Sequence, residues 1–249
     1  MKMFWKKTNF NYYIDKFHDN YAVINLDEYD VKLILEAQKI GNLIRQYPSS
    51  MKDELNEIIN KYKHCNYLFL NGNKYFVRTD RVSLKYGCHG EGPYSNFKQI
   101  IESIAYTTYT HTCIKTNDKS CKIYLLKRID NLDHCKEFRI FVNNNKITAI
   151  SQQYTVISNM WLNSLTENGI EQLYIKINEY FNNVIMKRIT HVNSYVIDLC
   201  FIYDNMPYFI EINPFGKEYS SESSLFHWIN DNYILYGKID NIVTFRYTV

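Results

Sequence analysis

The sequence predicts an α+β protein of two lobes with a cleft between them. Three observations carry this. Apolar residues recur at helical spacing through 31–47 and follow a helix-start signal in 50–62. From residue 67 onward, short apolar runs broken by Asn-Gly and Asn-Asn-Asn turns signal antiparallel strands. A long stretch of helical period, 166–189, then separates two groups of strands. Helices first, a small strand-rich lobe next, and antiparallel strands with a long helix last is an α+β order rather than an alternating βαβ one. The 249 residues suffice for one large domain or two lobes. The expected division is a helical segment with the small lobe over 1–124 and the large lobe over 125–249.

Taken in order, Val31, Ile34, Leu35, Ile40, Leu43 and Ile44 mark the first helix. Pro48 and two serines precede Asp53 and Glu54, so Ser49 or Ser50 is the expected cap of the second. Tyr67–Leu70 and Lys74–Arg78 read as strands around the Asn71-Gly72-Asn73 turn. Residues 79–94 hold Gly87, Gly90 and Gly92 and read as a mobile loop, after which Ser95 is expected to cap a helix beginning at Asn96. Strands follow at Lys122–Lys127, Glu137–Val142 and Lys146–Gln153; the last two join at Asn143-Asn144-Asn145, since Asn tolerates positive φ. Thr166 starts the long helix. Two apolar runs flank the turn Asp204-Asn205-Met206-Pro207, and a final helix is expected near Ser221–Ser224.

A formal net charge of +3 is too small to imply nucleic acid or a membrane surface. The basic, aromatic N-terminus lacks a signal peptide's apolar core, and no apolar run approaches the ~20 residues that span a bilayer. The chain therefore reads as soluble and cytoplasmic. Its 6 cysteines include no CxxC pair, which favours reduced thiols over a disulfide framework. Four lie near histidines (His64-Cys65, Cys88-His89, His111 with Cys113, His134-Cys135), but the spacings match no structural zinc pattern.

The most informative stretch is YVIDLCFIYDNMPYFIEINPFG, residues 195–216. Glu211 and Asn213 point to one face of their strand, and a hairpin about 204–207 places Asp198 opposite them within a residue or two. Two carboxylates and an amide oxygen on one sheet face suit magnesium, which takes such ligands and keeps waters and substrate phosphates for the rest. The competing reading is that both carboxylates face solvent. A basic set accompanies them: Arg78 closes one strand, Arg81, Ser83 and Lys85 follow in the loop, Lys127 and Arg128 close another strand, and Arg139 lies within a third. Converging cations of this kind offset the charge of a bound triphosphate.

Four segments, YFVRTDRVSLK (75–85), LLKRIDNLDHCKEFRIFVNNNKITAISQQYT (125–155), YVIDLCFIYDNMPYFIEINPFG (195–216) and SSLFHW (223–228), together resemble the cell-division-cycle protein 123 family, a divergent branch of the ATP-grasp fold. EFRxFV, the AISQ run and INPFG are the specific parts. The resemblance implies a two-lobed ATP-grasp fold with antiparallel sheets and a nucleotide cleft between the lobes. It implies ATP and Mg2+ as cofactors, with Asp198, Glu211 and Asn213 as metal ligands. Arg78 resembles the phosphate-facing cation of the small lobe, and Ser83 and Lys85 match the loop over the phosphates. Lys127 resembles the basic residue beside the nucleotide, with Leu125 and Leu126 near the adenine. Arg139 resembles the cleft arginine aimed at phosphate, and Lys127 and Arg139 are the candidate catalytic residues. Glu211 stands where the family commonly has aspartate, Leu84-Lys85-Tyr86 where it has Pro-Lys/Arg-Asp, and Gln152-Gln153-Tyr154 where it has Gln-Arg-Asp.

The function implied is that of an assembly factor for eukaryotic translation initiation factor 2, acting through its gamma subunit. The alternative is an ATP-dependent ligase that activates a carboxylate as an acylphosphate. A nucleic-acid module using the tyrosine-rich surface is disfavoured by the weak charge. On this reading Asp198→Ala or Glu211→Ala abolishes metal-dependent nucleotide binding and leaves the fold intact.

Overall fold

A computed structural model of the chain describes residues 7–44, 46–107, 112–129, 132–203, 206–219, 222–239 and 242–249. The chain divides into two compact units, His18–Arg128 and Met1–Phe17 with Ile129–Val249. The sequence-based division puts residues 1–124 together, whereas here Met1–Phe17 group with Ile129–Val249. The N-terminal segment joins the later residues through aromatic packing: Phe17 stacks on Phe209 with ring centroids 3.8 Å apart, and Tyr13 meets the same ring edge-on at 5.5 Å.

The smaller unit is a three-stranded antiparallel sheet, β1 (Tyr21–Leu26), β3 (Cys121–Lys127) and β2 (Tyr75–Thr79) in that order, with three helices. α1 (Glu28–Ile44) buries Val31 and Ile34 as its period predicts, together with Ala37 and Gly41, whereas Leu43 and Ile44, expected on the same face, are exposed. Its start is a reciprocal cap. Asp27 accepts from the Tyr29 and Asp30 N–H groups, and Asp30 returns a bond to the Asp27 N–H. Asp30 is fully buried, and Lys61 at 2.9 Å and the Tyr62 hydroxyl at 2.7 Å satisfy it. α2 (Lys52–Lys61) and α3 (Phe97–Ala105) complete the core with Leu55, Ile58, Phe97, Ile100, Ile101 and Ile104.

The larger unit is a five-stranded sheet in the order β7 (Met206–Pro214), β6 (Tyr195–Ile202), β4 (Glu137–Asn143), β5 (Lys146–Gln152), β8 (Thr244–Arg246). All pairs are antiparallel except β5 with β8. β6 is buried at every position but its last, which is why its sequence shows a continuous apolar run rather than alternation. Thr166 caps α4 (Glu167–Tyr180), its hydroxyl accepting from the Gly169 N–H at 3.2 Å, and the helix continues through a π turn at Phe181–Ile185. Asn144 and Asn145 adopt φ of 50° and 59°, as the β4–β5 turn requires.

The structure corrects several sequence expectations. Tyr67–Leu70 is not a strand but part of a 3-10 segment, Lys63–Gly72. The edge of β2 that a hairpin partner would need is taken by Tyr94, which exchanges both backbone bonds with Tyr75 at 2.9 Å. The turn signal itself holds, with Asn71 and Gly72 at positive φ. Neither Ser49 nor Ser50 caps α2: a 3-10 turn, Ser49–Met51, leads into it. Asn96, not Ser95, caps α3, accepting from the Gln99 N–H at 2.9 Å. No helix begins at 222–224, because Ser224 is left-handed at φ 51°; the last helix is the single turn Asn232–Leu235. Ser221 and the tip Asp204-Asn205 lie outside the described residues, while Met206 and Pro207 already belong to β7. β1 and β8 were not anticipated. Among the described residues no helix is long and apolar enough to cross a membrane.

Candidate functional site

The site in the larger unit is a polar row laid across the sheet. Glu211 on β7 pairs with Asp198 on β6, Asp198 with Arg139 on β4, Arg139 with Ser151 on β5, and Ser151 with Arg246 on β8. Directly opposed residues share a face. A bulge decides the first of these pairings. From Ile202↔Met206 to Leu199↔Phe209 the hairpin keeps one register, which would set Asp198 opposite Ile210 and turn Glu211 and Asn213 to the other face. The register shifts between Asp198 and Leu199, and Glu211 moves opposite Asp198.

The Arg139 guanidinium meets the Asp198 carboxylate side-on, Nε to Oδ1 at 2.8 Å and Nη2 to Oδ2 at 2.8 Å. Nη1 donates to the Glu222 carbonyl at 2.6 Å. Three of five N–H bonds are thereby spent. The pair is buried, with 6% and 5% of Arg139 and Asp198 exposed. Burial opposes the charge on Arg139, but the Asp198 carboxylate, with Glu211 and Glu222 behind it, more than offsets this and raises its pKa further. The Asn213 amide nitrogen donates to Asp198 Oδ2 at 2.9 Å and reaches Glu211 Oε1 at 3.5 Å. The three expected metal ligands therefore converge.

This donor set fits magnesium in one particular manner. Among the described residues, no group of three or more His, Cys, Asp or Glu side chains is placed to hold a metal. Two carboxylates and an amide are too few for an all-protein cage but suit an ion that keeps waters and phosphate oxygens as its other ligands. Arg139 cancels one of the two negative charges, so a divalent ion at this set would need further anionic oxygens to be held tightly. Turning the Asn213 amide about its last bond presents its oxygen in place of its nitrogen.

In the smaller unit, Arg78 and Ser83 are brought together as a backbone bridge, and Arg78 is 4% exposed. Its Nε lies 3.4 Å from the Thr79 carbonyl. Half-buried His18 is held down to a pKa of about 4, by burial first and the Arg78 charge second. Leu125 and Leu126 sit on the central strand β3, opposite Val77 and Phe76. The Leu125 side chain is spent on the core, and β1 and β2 pair with the backbone at both positions from either side. Lys127 is exposed at the end of β3, and Lys85 is exposed in the loop with its Nζ 5.1 Å from the Tyr86 ring centre. That loop is tied down. Leu84 enters the core, Gly87 lies against Ser103 on α3, and Ser103 Oγ takes the His89 N–H at 3.2 Å and lies 3.1 Å from the Tyr94 hydroxyl. All six cysteines are free. The sequence pattern did not single out Ser151, Arg246 or the Glu222 carbonyl; the AISQ and SSLFHW runs were the signals that could have pointed there.

The sequence model of the D123 family matches residues 98–242. No curated protein sequence matches the chain. Among solved structures, Cdc123 from Schizosaccharomyces pombe is similar over 98% of this chain and 97% of that chain, at 12% identity and a TM-score of 0.65. Its C-terminally truncated form gives the same identity and coverage at a TM-score of 0.66. The α+β fold of this chain is thus the fold of Cdc123. A lower TM-score, 0.38, is found with D-alanine–D-alanine ligase from Helicobacter pylori, at 14% identity over 81% of this chain and 50% of that chain.

Proposed function

We propose, from the premise that the chain belongs to the D123 family, that it is a magnesium-dependent ATP-binding protein of the ATP-grasp type. In this reading it acts in the cytoplasm as an assembly factor for translation initiation factor 2 through the gamma subunit. The observation that supports the binding most is the convergence of Asp198, Glu211 and Asn213 beside a buried Arg139. Magnesium, when bound, would neutralise phosphate charge and fix the nucleotide's orientation. Asp198, Glu211 and Asn213 would hold it. Arg139 holds the Asp198 carboxylate in one plane and keeps two N–H bonds for a phosphate oxygen. The family resemblance gives Arg78, Ser83 and Lys85 to the phosphates, and Leu125, Leu126 and Lys127 to the base.

Isothermal titration with ATP tests this, in magnesium and in EDTA. ATP binds wild-type protein in magnesium, and EDTA weakens it. Glu211→Gln keeps an oxygen but loses the charge, and weakens magnesium-dependent affinity by about tenfold or more, or ~1.4 kcal/mol. Equal ATP affinity in magnesium and EDTA would sink the site assignment. ATP-dependent capture of the translation initiation factor 2 gamma subunit supports the assembly role. ADP release with a carboxylate substrate and no gamma-subunit capture would move the reading to a ligase.

A further inference from the structure

The segment Glu222–Phe226 is tied to the sheet and its flank through Glu222, Ser224, Leu225 and Phe226. The Glu222 carbonyl accepts from Arg139 Nη1 at 2.6 Å, and the Ser223 hydroxyl donates to the Phe226 carbonyl at 2.5 Å. The Ser224 hydroxyl donates to Gln153 Oε1 at 3.0 Å. The Leu225 N–H donates to Ser151 Oγ at 3.1 Å, while the Ser151 proton goes to the Gln152 carbonyl at 2.8 Å. Arg246 holds the other end. It donates to the Leu225 carbonyl at 3.2 Å, pairs with Asp231 through both Nη atoms at 2.8 Å, and lies 4.3 Å over the Phe226 ring. Within this segment Ser224 sits at φ 51°, a conformation that a residue with a Cβ adopts reluctantly and keeps only when its surroundings impose it.

The consequence falls on Arg139. Two contacts along one edge of a guanidinium define a line, and the plane can still swing about that line. The third contact, from Nη1 to the Glu222 carbonyl, fixes the plane. The Glu222 carbonyl lies two residues before left-handed Ser224, and bonds to Ser151 and Gln153 hold the residues of that reversal. Ser151 is also the cross-strand neighbour of Arg139, so one row of the sheet supplies both the arginine and the group that braces it.

We propose that Ser224, Ser151 and Gln153 are positioning residues that set the Arg139–Asp198 pair, and through Asp198 the geometry of the metal-ligating set; the second half rests on the function proposed above. This gives the AISQ and SSLFHW runs one joint role.

Three variants test it: Ser224→Gly, which accepts the left-handed backbone, Ser224→Val, which resists it, and Ser151→Ala, which removes the brace and keeps the strand. The first readout is hydrogen exchange of the Arg139 Nε–H by NMR in nucleotide-free protein. The second is ATP affinity in magnesium and in EDTA. Ser224→Val and Ser151→Ala speed the exchange by about tenfold or more, and Ser224→Gly, which keeps the left-handed backbone but loses the hydroxyl's bond to Gln153, speeds it by about threefold. ATP affinity in magnesium weakens in the same order, by about tenfold for Ser224→Val, with EDTA values unchanged. An Arg139 Nε–H signal untouched by both Ser224→Val and Ser151→Ala overturns the proposal, as does Ser224→Gly behaving like Ser224→Val. If wild-type protein shows no magnesium-dependent ATP affinity while exchange follows the expected order, the functional reading fails and the positioning of the ion pair stands.

Discussion

Replacing Asp198 with asparagine exchanges one carboxylate oxygen for an amide nitrogen and removes the counter-charge of a guanidinium that is 6% exposed. Both Asp198 oxygens are engaged, at 2.8 Å to Nε and 2.8 Å to Nη2, and Oδ2 also takes the Asn213 amide at 2.9 Å. An asparagine offers one acceptor and turns an N–H2 group toward donors. Breaking one side of a buried, hydrogen-bonded pair costs about 3–5 kcal/mol, chiefly because the remaining charge stays buried. At roughly 2–4 °C per kcal/mol for a chain of this size, the melting temperature falls by about 6–20 °C. Circular-dichroism melts in EDTA without nucleotide measure this free of any loss of ligand stabilisation. The double replacement Arg139→Met with Asp198→Leu removes both charges and recovers most of the loss. A melt for Asp198→Asn within about 2 °C of wild type would refute the reasoning. The expectation from sequence, that removing Asp198 leaves the fold intact, treats this carboxylate as a metal ligand alone. The structure makes it a metal-ligand candidate and a buried partner at once, so binding data on Asp198 variants need the melt beside them, whereas half-buried Glu211 separates the two effects.

Two further predictions concern the smaller unit. The folded pKa of His18, about 4, lies below its ordinary 6.5, so the unfolded chain takes up the proton first. The stability His18 contributes is complete above pH 6.5, declines as pH falls from there to about 4, and changes no further below. The urea midpoint of wild type should drop relative to His18→Gln across that window, and an NMR titration placing His18 near 6.5 would contradict it. At Gly87, an added Cβ would lie 2.5 Å from the Ser103 Cβ and 2.7 Å from its carbonyl oxygen. Gly87→Ala should therefore cost about 1–3 kcal/mol and speed amide exchange in residues 84–94. Wild-type exchange in that loop would show that the close approach does not anchor it.

The strands β4, β5, β6 and β7 were legible because their runs are apolar, are joined by asparagine-containing turns, and carry the turn chemistry locally. The long helix was legible from its period and Thr166. What failed at Tyr67–Leu70 failed for a reason no local pattern contains: the edge of β2 is filled by Tyr94, nineteen positions after Tyr75 in the chain. β8 escaped notice because three residues pairing in parallel with β5 leave no periodic trace. Ser224 looked like a helix start because serine caps helices, yet its role is a left-handed reversal held by Gln153.

By itself, the sequence determined which residues could form the site, since Asp198, Glu211, Asn213 and Arg139 all lie in strands whose residue types and turns announce them. It could not determine that they face one another. Strand side chains alternate with a period of two, so a single inserted residue exchanges the faces. The bulge beside Asp198 makes that exchange, and only the paired sheet shows it. The tertiary structure likewise decided that Arg139 is bound to Asp198 before any ligand arrives, because burial at 5–6% exposure leaves neither charge stable without the other.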